Sequence, residues 1–350
     1  MKIIFVTATL TSGGSERVIS IIANKLQERG YDVEIACLND HIVFYPINEG
    51  VKVVHLEEVI GSKFLPKKML WLRAHVKKER PDVVIPFMVS VYTVTLLALM
   101  GVNIPVISSV RNDPKYSNFR KKITRRILLP MSSHVVVQTQ QIKNYFGKNI
   151  QEKATVIYNP VNERVFDLPV VEKEDRIISV GRLYPQKDQK TMIKAFAKIA
   201  DKYPTWNLTI FGEGPERKSL EELVADLNVS KRINLPGKTQ NVPEELNKSK
   251  IFCLSSIYEG MSNAMVEAIC VGLPILTTNV SGTEELITEG ENGFLVNVGD
   301  VKTMADALDH LIADAKLREK MAENNKKQAA MFETETIVDQ WEQVIKSVVE

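Results

Sequence analysis

What most constrains this chain is a repeated alternation along nearly all of its 350 residues: short apolar runs, each followed by a helical pattern. The first run, 3–8, leads to a helical stretch at 15–29, then Gly30 and a second run at 33–38. Further runs lie at 83–87, 106–110 and 135–138. Runs this short and continuously apolar suit strands buried on both faces, and helices between them force parallel crossovers. The alternation breaks over 158–174, where Asn159-Pro160, Pro169 and the charged run 172–176 read as a linker. It then restarts, with strands expected at 177–180, 208–211, 233–235, 251–254 and 275–278, and helices at about 190–203, 215–228 and 263–271. The pattern predicts an α/β chain of two doubly wound, Rossmann-like units, 1–165 and 166–333. A tail over 334–350 spaces Ile337, Trp341, Ile345 and Val348 at helical intervals. That helix either closes the second unit or packs back onto the first. Ligands in such sheets sit outside the carboxyl ends of the strands, so the expected site is a cleft between two facing units.

Composition narrows the class. Apolar and charged fractions of 44% and 25% belong to a soluble globular protein. The opening MKIIFVTATL has one Lys before a short apolar run and no small-residue cleavage site, so it reads as a buried strand rather than a leader. The longest apolar stretch, 83–102, is interrupted by Pro86, Ser90, Thr93 and Thr95, which argues against a membrane span. Cys37, Cys253 and Cys270 form no CxxC, as expected of reduced, buried thiols in a cytoplasmic protein. The five histidines are scattered and there is no Asp-x-Asp, so no metal is expected. The net charge of +2 hides an asymmetry: 1–165 carries 23 Lys/Arg against 13 Asp/Glu, the remainder 22 against 30. Opposite charge on two units suggests two different partners.

The segment richest in site chemistry follows the run at 251–254 and reads Glu259-Gly-Met-Ser-Asn-Ala-Met-Val-Glu267. Gly260 permits close approach, Ser262 and Asn263 are both good N-caps, and a helix follows from Ala264. Free N–H groups of a first helical turn, with Met261 and Ser262 just before it, favour a diphosphate. Glu259 and Glu267 offer carboxylates that accept hydrogen bonds from sugar hydroxyls. Taken alone, these residues read equally well as a capping glutamate and an unrelated helix-face glutamate. Arg182 and Lys187 follow the run at 177–180 and so stand at another carboxyl end. A planar Arg fork with a nearby Lys can stabilise a departing diphosphate without a metal.

In the segment 259–267 the chain resembles the retaining glycosyltransferases of family 4, which have the two-domain GT-B fold and carry two glutamates at this spacing. The resemblance extends through Gly181-Arg-Leu-Tyr-Pro-Gln-Lys187, Phe211-Gly-Glu-Gly-Pro-Glu216, Leu235-Pro-Gly237 with Asn241-Val-Pro, Gly272-Leu-Pro274, Gly282-Thr-Glu-Glu-Leu286 and Asn292-Gly-Phe-Leu295. Ser12-Gly-Gly-Ser-Glu-Arg17 and Tyr158-Asn-Pro-Val-Asn162 match in the first unit. The resemblance implies that the second unit binds a nucleotide diphosphate sugar, UDP-linked, and the first an acceptor. It assigns Gly212, Gly237 and Lys238 to the donor site, the last two beside the nucleobase. It has Glu259 orient the sugar, Glu267 hold the ribose, and Arg182 and Lys187 stabilise the leaving diphosphate, whose oxygen takes the acceptor's proton. Gly13 and Gly14, too few for a dinucleotide fingerprint with only Asp40 as an acid, would let the backbone approach the donor.

One position departs from the family's commoner pattern. Arg111 stands where many members place a histidine near the reacting sugar. A guanidinium is no general base, so Arg111 is expected to hydrogen-bond the donor sugar or its phosphate. Asp113 either receives the acceptor's proton or is an ordinary turn residue before Pro114. The basic first unit owes its charge to 63–80, with seven basic residues and one acid, and 115–130, with six and none. Interleaved with Leu65, Met69, Leu70, Trp71 and Leu72, these stretches suit an anionic membrane surface or a solvated helix face; no nucleic-acid partner is expected. The expected protein is a peripheral enzyme on the inner face of the cell membrane. It would transfer a hexose or N-acetylhexosamine, with retention and without a metal or other cofactor, to a saccharide acceptor, lipid-linked, in cell-surface glycan biosynthesis. The rivals are a nucleotide-sugar epimerase of the same fold and a non-catalytic nucleotide-sugar-binding protein.

Overall fold

The structure, a computed structural model, describes residues 1–11, 13–39, 42–56 and 65–350; Ser12, Asp40, Lys63 and Phe64 lie outside them. The chain forms two compact units, Met1–Pro160 together with Thr334–Glu350, and Val161–Glu333.

In the first unit, β1 (Lys2–Thr7) buries Ile3, Ile4, Phe5 and Val6 completely, as a strand covered on both faces must. It pairs in parallel with β2 (Asp32–Cys37) and, on its other side, with β4 (Val83–Pro86); β3 (Lys52–His55) lies outside β2. A second parallel set, β5 (Ile107–Val110), β6 (His134–Val137) and β7 (Ala154–Val156), joins β4 through bridges at Val84–Val106 and Phe87–Ser109. Among the described residues, its α-helices of known extent are α1 (Gly14–Glu28), α2 (Leu65–Glu79), α3 (Val89–Ala98), α4 (Phe119–Leu128), α5 (Gln140–Tyr145) and α6 (Lys148–Gln151). Strand alternation divides the core. Ile4, Val6, Val84 and Val135 pack with α2 and α3 on one face, while Phe5, Ile85, Ile107 and Val136 pack with α1 on the other.

The second unit has one parallel sheet of β8 (Arg176–Val180), β9 (Asn207–Phe211), β10 (Ile233–Gly237), β11 (Ile251–Leu254), β12 (Ile275–Thr278) and β13 (Gly293–Val296), in the order β10-β9-β8-β11-β12-β13. Its helices are α7 (Gln189–Ile199), α8 (Arg217–Asp226), α9 (Val242–Asn247), α10 (Asn263–Val271), α11 (Val301–Ala313) and α12 (Ala315–Gln328). The chain winds outward from β8 to β10, then returns to the other side of β8 as β11. The strand order therefore reverses between β8 and β11, the topological switch point at which such sheets bind ligands.

The last helix, α13 (Thr334–Val349), settles the alternative that its periodicity left open: it belongs to the first unit. Trp341 stacks on Phe87 with ring centroids 5.7 Å apart, and Ile337, Val338 and Ile345 join the α1 face of the core. Arg29 at the end of α1 reaches Glu335 at 2.5 Å, Asp339 at 2.7 Å and Glu342 at 2.6 Å. The strands β3, β7 and β13 fall outside the expected runs. Each is an edge strand of three or four residues with partly exposed positions, so none presents a continuous apolar run. All three cysteines are buried, and burial pushes the Cys270 thiol up to about 12. Among the described residues, no helix is long and apolar enough to cross a membrane.

Candidate active site

The switch point of the second unit sets two loops side by side. One leaves β8 and carries Arg182 and Lys187; the other leaves β11 and carries Glu259. Ile257 N donates to Gln186 O at 2.8 Å, Gln186 Nε2 to Tyr258 O at 2.8 Å, and Ser255 Oγ to Asp188 O at 2.8 Å. So stitched, the loops bring Lys187 Nζ onto Glu259 Oε1 as an ion pair whose side chains are only 13% and 8% exposed. Ser256 Oγ donates to the same carboxylate oxygen at 2.6 Å, and Thr278 Oγ1, at the end of β12, holds the Ser256 carbonyl at 2.6 Å. Two donors therefore orient Glu259 before any ligand arrives. The turn Pro185–Lys187 ends on Asp188 in the left-handed region, φ 42°, where α7 begins. A non-glycine residue there costs of order 1 kcal/mol or more and persists only where its surroundings hold it.

Arg182 is exposed and lies over the Tyr184 ring, 5.0 Å from its centroid, while its carbonyl accepts from Gln189 Nε2 at 2.9 Å. A guanidinium stacked on its face keeps its N–H edge for an oxyanion. Of the two expected caps, α10 uses Ser262, whose Oγ accepts from Met265 N; Asn263 and Ala264 form the first turn. Gly260, Met261 and Ser262 are buried, and Glu267, one turn into the helix, is 1% exposed.

The glycines of the site have a backbone reason. Gly181 N donates to Phe211 O at 2.9 Å and Gly212 N to Gly237 O at 2.8 Å, continuing the sheet just past β8 and β9. Gly212 has φ +149°, and a Cβ there would stand 1.8 Å from Gly181 O. Lys238 follows β10 and is exposed. Arg182, Lys187, Gly212, Gly237, Lys238 and 259–267 thus lie at the carboxyl ends of one sheet.

Gly13, Gly14 and Arg111 stand in the first unit. Gly13 caps α1 with φ −105°, and the Glu16 carboxylate folds so close that a Cβ would meet it at 2.0 Å. Arg111 follows β5, is 6% exposed, lies over Phe87 at 5.3 Å and donates through Nη2 to Asn159 Oδ1. Burial pulls its pKa down to about 9, which still leaves it cationic at neutral pH. Asp113 Oδ1 accepts from Lys115 N at 2.8 Å, so its carboxylate caps the turn it precedes. Among the described residues, Glu34, His75 and Glu79 have metal-ligand spacing. Lys52 Nζ lies 2.8 Å from Glu34 and Lys2 Nζ 2.5 Å from Glu79, so cations already neutralise that group as an ion-pair network. Sequence reasoning passed over Ser256, Thr278 and Gln186, which position the ion pair. The usable signal was Ser255-Ser256 directly after an apolar run, where a strand hands over to a loop.

Comparison with known proteins bears on this geometry. The family described as Glycosyltransferase Family 4 matches residues 12–165, and Glycosyl transferases group 1 matches residues 161–328. A Campylobacter jejuni protein is 29% identical over 365 residues, covering 99% of each chain; it is named as an alpha-1,4-N-acetyl-D-galactosaminyltransferase acting on a saccharide on diphosphate-linked undecaprenol. The structure of Anabaena HepE in complex with UDP superposes with a TM-score of 0.81 at 19% identity, over 99% of this chain and 100% of that one. Sucrose-phosphate synthase from Thermosynechococcus elongatus superposes with a TM-score of 0.85 at 18% identity, over 99% of each. Both matched families describe sugar transfer, and between them they account for the chain from residue 12 to residue 328. The chain belongs to the family 4, group 1 glycosyltransferases and is a glycosyltransferase of the GT-B fold.

Proposed function

We propose that the enzyme moves a hexose or N-acetylhexosamine from a UDP-sugar to a lipid-linked saccharide, with retention and without a metal. The observation that carries this reading is the Lys187–Glu259 pair at the switch point, with Arg182 on the same loop as Lys187 and α10 following Glu259 in the chain. Cations and helix N–H groups suit a diphosphate; carboxylates beside them suit sugar hydroxyls. Arg182 and Lys187 stabilise the charge that builds as the bond from the anomeric carbon to the phosphate oxygen breaks. The acceptor oxygen bonds to that carbon on the same face and passes its proton to the departing phosphate oxygen. Glu259 orients the transferred sugar and Glu267 holds the ribose. The UDP complex of the Anabaena neighbour and the lipid-linked acceptor of the Campylobacter relative support the substrates proposed.

Peripheral attachment to the inner face of the membrane has support in α4. Phe119, Ile123 and Ile127 are exposed along one face, among exposed Arg120, Lys121, Lys122 and Arg126. Arg125 takes no part: it is buried and donates to Tyr92 OH at 3.1 Å and Ser117 Oγ at 3.0 Å.

The test is a panel of labelled UDP-sugars with a lipid-linked saccharide, with and without EDTA, followed by NMR of the product linkage. Transfer with retained configuration, undiminished by EDTA, is expected. An inverted linkage or loss of activity with EDTA overturns the mechanism, and an isomerised donor without acceptor would make the enzyme an epimerase. Glu267→Ala should raise the donor KM about tenfold or more with a smaller fall in kcat, because ribose contacts persist equally in ground and transition states.

A further inference from the structure

The first unit holds a second polar cluster that this mechanism does not use. Ser109, Arg111, Gln138 and Asn159 stand where β5, β6 and β7 end, continuing the sheet face that Ile107, Val136 and Ile157 line. All four are at least nine-tenths buried. Asn159 Oδ1 accepts from Arg111 Nη2 and from Gln138 Nε2, the latter at 2.8 Å. Those bonds leave much unsatisfied: among the described residues, Arg111 Nε and Nη1, Gln138 Oε1 and Ser109 Oγ have no hydrogen-bond partner. Among the described residues no carboxylate pairs with the cation, and burial pulls its pKa down.

A buried, uncompensated guanidinium costs several kcal/mol in a folded chain. A fold keeps such a group where a ligand supplies the missing charge. We propose that Arg111, Gln138 and Asn159 form a binding site for one oxyanion group, a phosphate or a carboxylate. The anion accepts from Arg111 Nε or Nη1. A ligand hydroxyl beside it donates to Gln138 Oε1, and Ser109 Oγ is free to donate or accept. Asn159 aligns the other two side chains and is a positioning residue. The anion comes either from the donor's diphosphate or from a phosphate or carboxylate on the acceptor. Only that second question rests on the substrates proposed above.

Two arms test this on the full chain. In thermal melts with inorganic phosphate, against chloride at equal ionic strength, the wild type should gain more stability than Arg111→Met. Arg111→Met should also melt at or above the wild type without phosphate, since the variant removes an unpaired buried charge. Equal phosphate shifts in the two proteins mean that the cluster holds internal water alone, and a variant that melts several degrees lower without phosphate marks Arg111 as structural; either overturns the site. In steady-state kinetics, Arg111→Met should raise one KM roughly 10- to 100-fold, the loss of a hydrogen bond to a charged group, with Arg111→Lys intermediate. A rise for the UDP-sugar assigns the anion to the donor, and a rise for the lipid-linked saccharide assigns it to the acceptor. Both KM values unchanged overturn the proposal. Should no transfer be detectable with any donor, the substrate reading fails, while the melts still decide the site.

Discussion

Lys187 and Glu259 are 72 residues apart in sequence, and the ion pair they form is nearly shielded from water. A carboxylate in that position depends on its cation. Removing Lys187 leaves Glu259 with Ser256 as its remaining charge-stabilising donor among the bonds described above, at a cost of about 3 kcal/mol for an uncompensated buried charge. The same cation stabilises the leaving group in the proposed mechanism, so Lys187→Ala should also lower kcat by roughly 100- to 1000-fold. The two effects separate in the double variant Lys187→Met/Glu259→Gln. Denaturant melts should show most of the lost stability restored, while turnover stays at the single-variant level. Turnover that recovers with stability would mean the pair is only a structural brace. The chemical character of these two residues was legible in their motifs. Their contact was not, because it depends on which strands become neighbours.

At the scale of elements, Gly212 and α4 make opposite points. Gly212 is glycine because two backbones nearly touch at the strand ends. Gly212→Ala should therefore cost well over about 1 kcal/mol and weaken donor binding. Gly30→Ala is the control: its φ is +86° but nothing lies within 4 Å of the added Cβ, so the cost should stay near 1 kcal/mol. Equal losses would mean that backbone conformation alone, not crowding, selects glycine at 212. In α4, Phe119, Ile123 and Ile127 recur every four residues, a spacing that usually marks a core-facing stripe. The fold turns that stripe outward and buries Arg125 and Leu128 instead. Sedimentation with anionic liposomes should fall for Phe119→Ser/Ile127→Ser, and separately for Lys121→Ala/Lys122→Ala/Arg126→Ala, with salt weakening the wild type. Wild-type protein that stays in the supernatant at low salt removes the membrane reading. The basic composition of 115–130 was visible in the sequence, but which face α4 buries was decided by what packs against it.

Over the whole molecule, the last helix returns to the first. Trp341 fills the α1 face of the core, and Trp341→Ala should destabilise the first unit by about 3–5 kcal/mol, read as lost hydrogen-exchange protection along β1. The docking is also pH-dependent. Hydrogen bonds from Lys346, Tyr31 and Arg29 hold the Glu342 carboxyl below its ordinary 4.5, at about 2, against the opposing effect of partial burial. A depressed carboxylate pKa contributes stability that is complete above about 4.5 and lost as pH falls towards 2. Glu342→Gln should flatten that part of the stability profile, and a profile identical to wild type between those values would show that Glu342 does not tether the helix.

The sequence by itself determined the layered character of the chain: buried parallel strands, helices between them, two such units and a break near Pro160. Those follow from local periodicity, which needs no knowledge of distant residues. It also carried the chemistry of the segment 259–267, because a glycine, a helix cap and two carboxylates at fixed spacing act over a few residues. Tertiary structure alone decided the edge strands β3, β7 and β13, whose pairing comes from a neighbour rather than their own apolarity. It alone decided that α13 joins the first unit and that Lys187 meets Glu259. It also decided that Arg111 lies buried with two nitrogens unpaired among the described residues. Each of these depends on desolvation and on long-range contact, quantities that no local pattern of residues contains.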